Sequence, residues 1–187
     1  MSAVRMAARR FGAGLLLLAA GAGCGDEAGA KAPPAPAPVV ATLPAASAGG
    51  VCGLLDYEAI EGALGTRFDV AAASTHKDTA TCMVQANGAP RPDLMLSVTE
   101  TAADAATFTS EVAPDGAKSV KGLGKAAYRT ARAASGKAGP TAEVGWLTAD
   151  KRLITLRYTC VSDEPKATAE ELSVKLVELA KAVDKAQ

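Results

Sequence analysis

Asp93-Leu94-Met95-Leu96-Ser97-Val98-Thr99-Glu100 places apolar residues at every second position. Side chains of an extended chain point to opposite sides in turn. Leu94, Leu96 and Val98 therefore share one face, and Met95, Ser97 and Thr99 share the other. A period of two with one apolar face specifies a half-buried strand of an antiparallel sheet. Working outward, a hairpin is expected upstream, with strands around 67–72 and 79–86. Downstream, a strand is expected near 126–131, and a second hairpin pairs 141–147 with 153–160 across Ala149-Asp150-Lys151. In its last strand Ile154, Leu156, Tyr158 and Cys160 fall on one side.

Three helices complete the pattern. Asp56-Tyr57-Glu58-Ala59-Ile60-Glu61-Gly62-Ala63-Leu64-Gly65 opens on an N-cap residue and closes on a Gly suited to a left-handed cap. Tyr57, Ile60 and Leu64 form its apolar stripe. Residues 102–112 read as a middle helix, ended by Pro114. Thr168-Ala169-Glu170-Glu171 has the form of a capping box and precedes Leu172, Leu176, Leu179 and Val183 at helical spacing. The expected class is α+β: an antiparallel β-sheet with a short N-terminal helix, a middle helix and a long C-terminal helix packed on one face.

The chain has 187 residues, 49% of them hydrophobic, which suggests a well-filled core until the residues are sorted. Alanine alone accounts for 43 of them, and aromatics make up only 4%. Methyl groups bury little area, so the core has few large anchors. Formal net charge is zero, which argues against nucleic-acid binding driven by positive charge.

The N-terminus supplies an address. Arg5, Arg9 and Arg10 precede the apolar run Phe11 to Gly23, and Cys24 follows. The run is too short to span a bilayer and has the form of a secretory signal peptide over residues 1–23. Gly21-Ala22-Gly23-Cys24 resembles a bacterial lipobox, which implies a diacylglyceryl group on the Cys24 thiol and cleavage just before it. Two acyl chains bring stable membrane attachment. The competing expectation is cleavage after Ala22, which releases a free secreted protein. Removing residues 1–23 takes three arginines and no acid, leaving a mature net charge of about −3. Residues 24–50 then read as the lipidated cysteine and a disordered Pro/Ala-rich tether, with a single globular domain over 51–187.

Val51-Cys52-Gly53-Leu54-Leu55-Asp56, followed by Ala63-Leu64-Gly65, resembles the opening of an actinobacterial lipoprotein family, domain of unknown function 3558. Thr81-Cys82-Met83-Val84 is similar to its cysteine-bearing strand. Val120-Lys121-Gly122-Leu123-Gly124 with Ala127-Tyr128 is similar to its Gly turn and aromatic strand. The resemblance covers residues 51–187. It implies the fold and the exported address, and no assigned chemistry.

With Cys24 lipidated, Cys52, Cys82 and Cys160 remain in an oxidising compartment, where three thiols allow one bridge. A Cys52–Cys82 disulfide is expected, tying the entry of the first helix to the sheet, with Cys160 a buried free thiol. Pairing of Cys160 with either partner is the alternative.

The search for chemistry yields no catalytic set. His76, the single histidine, sits in Ser74-Thr75-His76-Lys77-Asp78 and reads as a solvated loop residue. No Gly-x-Ser-x-Gly elbow accompanies it, and it has no partner at zinc-ligand spacing. Lys121-Gly122-Leu123-Gly124-Lys125 lacks the spacing of a phosphate-binding loop and reads as a turn. Glu58 and Glu61 point away from the stripe of their helix. Arg129, Arg132 and Lys137 suggest a weak basic rim, and Trp146 and Tyr128 suggest core. No cofactor, metal or catalytic residue is expected. The reading is a lipid-anchored protein of the cell envelope, on the outer face of the membrane. It is expected to act as a non-catalytic binding or accessory module for an envelope protein, a small ligand or a cell-wall component. A small envelope hydrolase is the alternative of a different class.

Overall fold

A computed structural model describes residues 42–187. The expected signal peptide, Cys24 and most of the expected tether lie outside the described residues. Two 3-10 turns, Ala45–Ala48 and Gly50–Leu54, lead into helix α1 (Tyr57–Leu64). Strands β1 (Val70–His76), β2 (Thr79–Gln85) and β3 (Asp93–Glu100) form one antiparallel meander. A short helix α2 (Ala105–Thr107) runs on as a π-helical turn, Phe108–Val112. Strands β4 (Lys118–Ser119), β5 (Ala126–Arg132), β6 (Thr141–Leu147) and β7 (Arg152–Thr159) form a second meander, and helix α3 (Lys166–Lys185) ends the chain. The sheet has seven strands in the order β1-β2-β3-β7-β6-β5-β4, and all neighbours are antiparallel.

The α+β class is as expected, and the opening stretch forms the centre of the sheet. Leu94, Leu96 and Val98 of β3 lie opposite Tyr158, Leu156 and Ile154 of β7. All six are buried, and they join the two meanders. Beside them α3 lies over β5, β6 and β7, with Ala169, Leu172, Leu176, Leu179, Ala180 and Val183 turned inward at three- and four-residue steps. Trp146 is fully buried beneath this helix, and its Nε1 donates to Asp184 Oδ1 at 2.9 Å. Full burial of such a side chain contributes roughly 2–3 kcal/mol. The hydrogen bond satisfies the indole N–H, which would otherwise carry a desolvation penalty.

The helix α1 is capped as expected: Asp56 Oδ1 accepts from the Ala59 N–H at 2.8 Å, and Gly65 closes it at φ 72°. Ile60 and Leu64 are its buried residues, while Glu58 and Glu61 are exposed. The disulfide joins Cys52 to Cys82, with Cα atoms 5.0 Å apart, and Cys160 is free and buried.

Several details differ from expectation: β1 runs from Val70 to His76 rather than around 67–72, and the short strand β4 is additional. The folded unit begins before residue 51: Ala45 is 1% exposed and belongs to the core, so the last part of the supposed tether is structural. The middle helix does not share a face with α1 and α3. Phe108 packs against Tyr128 and Leu147, which project from the opposite side of the sheet to Trp146. The capping box is not formed, because α3 starts at Lys166, after Pro165, and Thr168 Oγ1 donates to Glu164 instead. Finally, His76 ends a strand rather than sitting in a turn. The two-residue turn is Lys77-Asp78, with Lys77 at φ 51°.

The disulfide closes a 30-residue separation, worth about 3–4 kcal/mol in the chain-entropy model. Cys52→Ser is therefore expected to lower the thermal midpoint by roughly 10 °C under oxidising conditions. An unchanged midpoint by calorimetry would refute a structural role for the bridge.

Candidate functional site

The two faces of the sheet have different chemistry. Residues facing α1 and α3 are apolar and sealed. The other face is covered only at one end, where α2 and its π-helical turn lie over β5, β6 and β7. Strand alternation brings polar side chains into rows across the remainder. Ser74, Thr81, Ser97 and Thr155 lie opposite one another across β1, β2, β3 and β7, and the same row continues through Gly145 to Tyr128. Ser74 Oγ and Thr81 Oγ1 are hydrogen-bonded at 2.6 Å, and Thr79 Oγ1 and Thr99 Oγ1 at 2.8 Å in the adjoining row. Cross-strand hydroxyl pairs of this type brace a solvent-facing sheet surface.

Tyr128 marks the boundary between the open and covered parts. Its ring lies flat over Gly145, where a Cβ would fall 2.6 Å from the ring, so only glycine fits there. Its Oη donates to Glu143 Oε1 at 2.8 Å, and Glu143 in turn faces Arg157 Nε at 3.9 Å. Burial first, then the Glu143 carboxylate, hold the Tyr128 phenol far above its ordinary pKa. The phenol is thus a fixed hydrogen-bond donor and a poor source of a tyrosinate nucleophile.

From Tyr128 a cleft of about 630 Å³ runs beneath the turn after α2. It is lined by Phe108, Ser110, Asp115, Ser119, Lys121 and Lys125, among others. Its Lys121-Gly122-Leu123-Gly124-Lys125 wall is a turn, as expected. Leu123 is buried in the main core, and Gly124 passes so close to the Leu147 carbonyl that no side chain fits. The lysines are exposed.

The other candidates of the sequence are scattered. His76 lies exposed at the far edge of the sheet from Tyr128. Arg129 and Arg132 project from opposite faces of β5, and Arg129 Nη1 reaches Ser173 Oγ at 3.0 Å on α3, so the basic rim is not assembled. Trp146 is core, whereas Tyr128 borders the cleft. Burial, followed by the Glu164 charge, raises the Cys160 thiol pKa, which disfavours the reactive thiolate. Asp93, buried at the end of β3, has Arg91 Nη1 3.0 Å from its Oδ1. Among the described residues, no three His, Cys, Asp or Glu side chains converge as a metal site, and no helix is long and apolar enough to cross a membrane. The hydroxyl rows escaped sequence reasoning because they depend on register between strands up to 81 residues apart in the chain, Ser74 to Thr155.

Comparison with protein-family models, curated proteins and solved structures gives no match. The residues therefore define the class by themselves. It is an α+β domain with one sheet face sealed by helices and the other open, polar and rich in hydroxyls.

Tyr57, Tyr128 and Tyr158 all have raised pKa values, each chiefly through burial. Each phenol binds its proton more tightly folded than unfolded. The resulting stability is complete below the unfolded value near 10 and is lost as pH rises through the folded values. Spectrophotometric titration should show the tyrosinate band appearing only above pH ~10, with Tyr128 ionising last. Tyr128→Phe should remove that last step. A folded-state Tyr128 titrating near pH 10 would contradict the burial described.

Proposed function

We propose that this protein is a lipid-anchored module of the bacterial cell envelope, held on the outer face of the membrane through Cys24, and that it binds a wall component without catalysis. A disulfide in the folded unit fits an exported protein, since such bridges persist in oxidising compartments. Gly21-Ala22-Gly23-Cys24 supports lipid attachment, and the order of elements supports kinship with the domain 3558 lipoproteins.

The observation that carries the binding role is the open sheet face. Its hydroxyl rows, its two half-buried methionines, Met83 and Met95, and the Glu143–Arg157 pair suit a polar polymer of little net charge, such as a glycan. A rigid sheet holds those hydroxyls at fixed spacing, which lowers the ordering cost of binding. Tyr128 and Glu143 are tied to each other, so the polar groups position rather than react.

Two experiments test the reading. Intact mass of the mature chain is expected to show an N-terminal Cys24 bearing acyl mass, and Cys24→Ser is expected to shift the protein from the membrane fraction to the medium. An unmodified mature chain starting at Gly23 would refute anchoring. Thr155→Arg, at the centre of the open face, is expected to weaken co-sedimentation with purified wall glycan about tenfold, with an unchanged melting temperature. Wild-type protein that fails to co-sediment would refute the proposed ligand.

A further inference from the structure

At one end the outer edge of the sheet has no strand paired to it among the described residues, although the 3-10 turns Ala45–Ala48 and Gly50–Leu54 pack against β1. Strand β1 spans seven residues, Val-Ala-Ala-Ala-Ser-Thr-His, of which six are exposed. Its neighbour on one side is β2. On the other side, among the described residues, no backbone group receives a hydrogen bond from it. Edge strands are normally guarded by a proline, a bulge, an inward charge or a covering segment, because alternate N–H and C=O groups point outward. Here β1 pairs with β2 in unbroken register from Val70 to His76 and contains neither proline nor charge. The opposite edge, β4, is only two residues long.

Beside this edge lies a groove of about 270 Å³, lined by Leu43, Pro44, Ala48, Val70 and Ala71 among others. Leu43 is 70% exposed and Val70 40% exposed, and they are two of the three large hydrophobic residues left in solvent among the described residues. An uncapped strand edge and an exposed apolar groove thus coincide.

The charges flanking β1 say what covers it. Asp69 precedes the strand and Lys77 follows it. Lys77 makes no ion pair within the described residues, and Asp69 Oδ1 accepts from the Asn87 N–H at 2.6 Å, leaving its second oxygen available. We propose that β1 pairs with β1 of a second copy of this chain, antiparallel and centred on Ala73. In that register Ala71 lies opposite Thr75, Val70 opposite His76, and Asp69 opposite Lys77, each twice by symmetry. The arrangement is isologous: one patch serves both subunits, and the contact closes as a dimer instead of growing. Outward-pointing N–H and C=O groups of both strands find partners. The hairpin tip of each copy, His76-Lys77-Asp78, is brought beside the Leu43–Val70 groove of the other. The result is a fourteen-stranded sheet across the two copies with a continuous open face.

The test is sedimentation velocity of the full processed chain, in detergent where it carries lipid, at rising protein concentration. The wild type is expected to reach a dimer by about 100 µM, the range of a small interface. Ser74→Lys places two ammonium groups on the edge near the two-fold axis and is expected to leave only monomer at that concentration. Lys77→Asp sets carboxylates against Asp69 on both sides and is expected to raise the dimer Kd about tenfold. The Lys77 site has φ 51°, which Asp tolerates well, so its melting temperature serves as the control for folding. A wild type that stays monomeric overturns the proposal. So does a dimer indifferent to Ser74→Lys, which must use another surface. A dimer lost with Ser74→Lys but indifferent to Lys77→Asp overturns the register centred on Ala73.

Discussion

The seam between β3 and β7 is the contact on which the rest of the domain depends. It is where two meanders, each local in sequence, become one sheet. Leu94 meets Tyr158, Leu96 meets Leu156, and Val98 meets Ile154, over strands separated by roughly sixty residues of chain. An isolated hairpin or small meander is marginal in water. The second meander is covered by α3, which packs on β5, β6 and β7, and the first by the 3-10 turn Gly50–Leu54, which packs on β1, β2 and β3. Closing the seam merges these two apolar surfaces into one core. The entropy of bringing such distant strands together precedes the gain from burial, so the seam is also the costliest contact to make.

Once the seam is formed, the composition of the chain explains the remaining devices. Alanine fills many inward positions, and the large side chains are few enough that each has a distinct job. Trp146 fills the space under α3 and is oriented by Asp184. Phe68 and Tyr158 meet at a ring separation of 6.3 Å, with Thr66 hydrogen-bonded to the Tyr158 hydroxyl at 2.9 Å. The Cys52–Cys82 bridge fastens the entry segment to β2 at the side of the sheet that α3 does not reach. The main effect of a disulfide falls on the unfolded chain rather than on packing.

How much of this could be read from the sequence follows from the range of each interaction. The alternation of Asp93–Glu100 and the leucine steps of α3 are local periodicities, and both elements are where those patterns place them. Asp56 and Gly65 bound α1 because caps act within one turn. The bridge is the expected Cys52–Cys82 pair, although the sequence leaves Cys160 open as a partner, since it too falls in an expected strand. What failed needed information from elsewhere in the fold. Residues 102–112 carry one aromatic residue, Phe108, and one such residue cannot say which sheet face it will cover. Ala45 looks like linker, yet a methyl group suffices to fill the space it occupies beside the first 3-10 turns. Thr168 has a capping-box spacing, but the N-cap position is taken by Pro165, and α3 begins three residues, nearly one turn, earlier. The candidate site was the least legible, because a row of hydroxyls exists only after four strands have found their register.

The division of the sheet into a sealed and an open face is itself a consequence of topology. Among the described residues, the segment that packs on the open side comes from the link between the two meanders. That link, residues 101–117, spends its one aromatic on Tyr128 and Leu147 at the other end of the sheet. The strands left uncovered present serine, threonine, methionine and small apolar side chains outward, and the charges of this face, Asp93, Arg132, Glu143 and Arg157, fall in the two rows at one end of it. A sheet face of that kind stays in water at little cost, because each hydroxyl has a neighbour across the strand and can also bond to solvent. It is stiff, because the buried seam fixes the strands beneath it. Stiffness and solvation together are what a recognition surface requires: the groups are already spaced, and the water they shed on binding is replaced by equivalent hydrogen bonds. The same seam that holds the core together therefore sets the spacing of the groups on the other side.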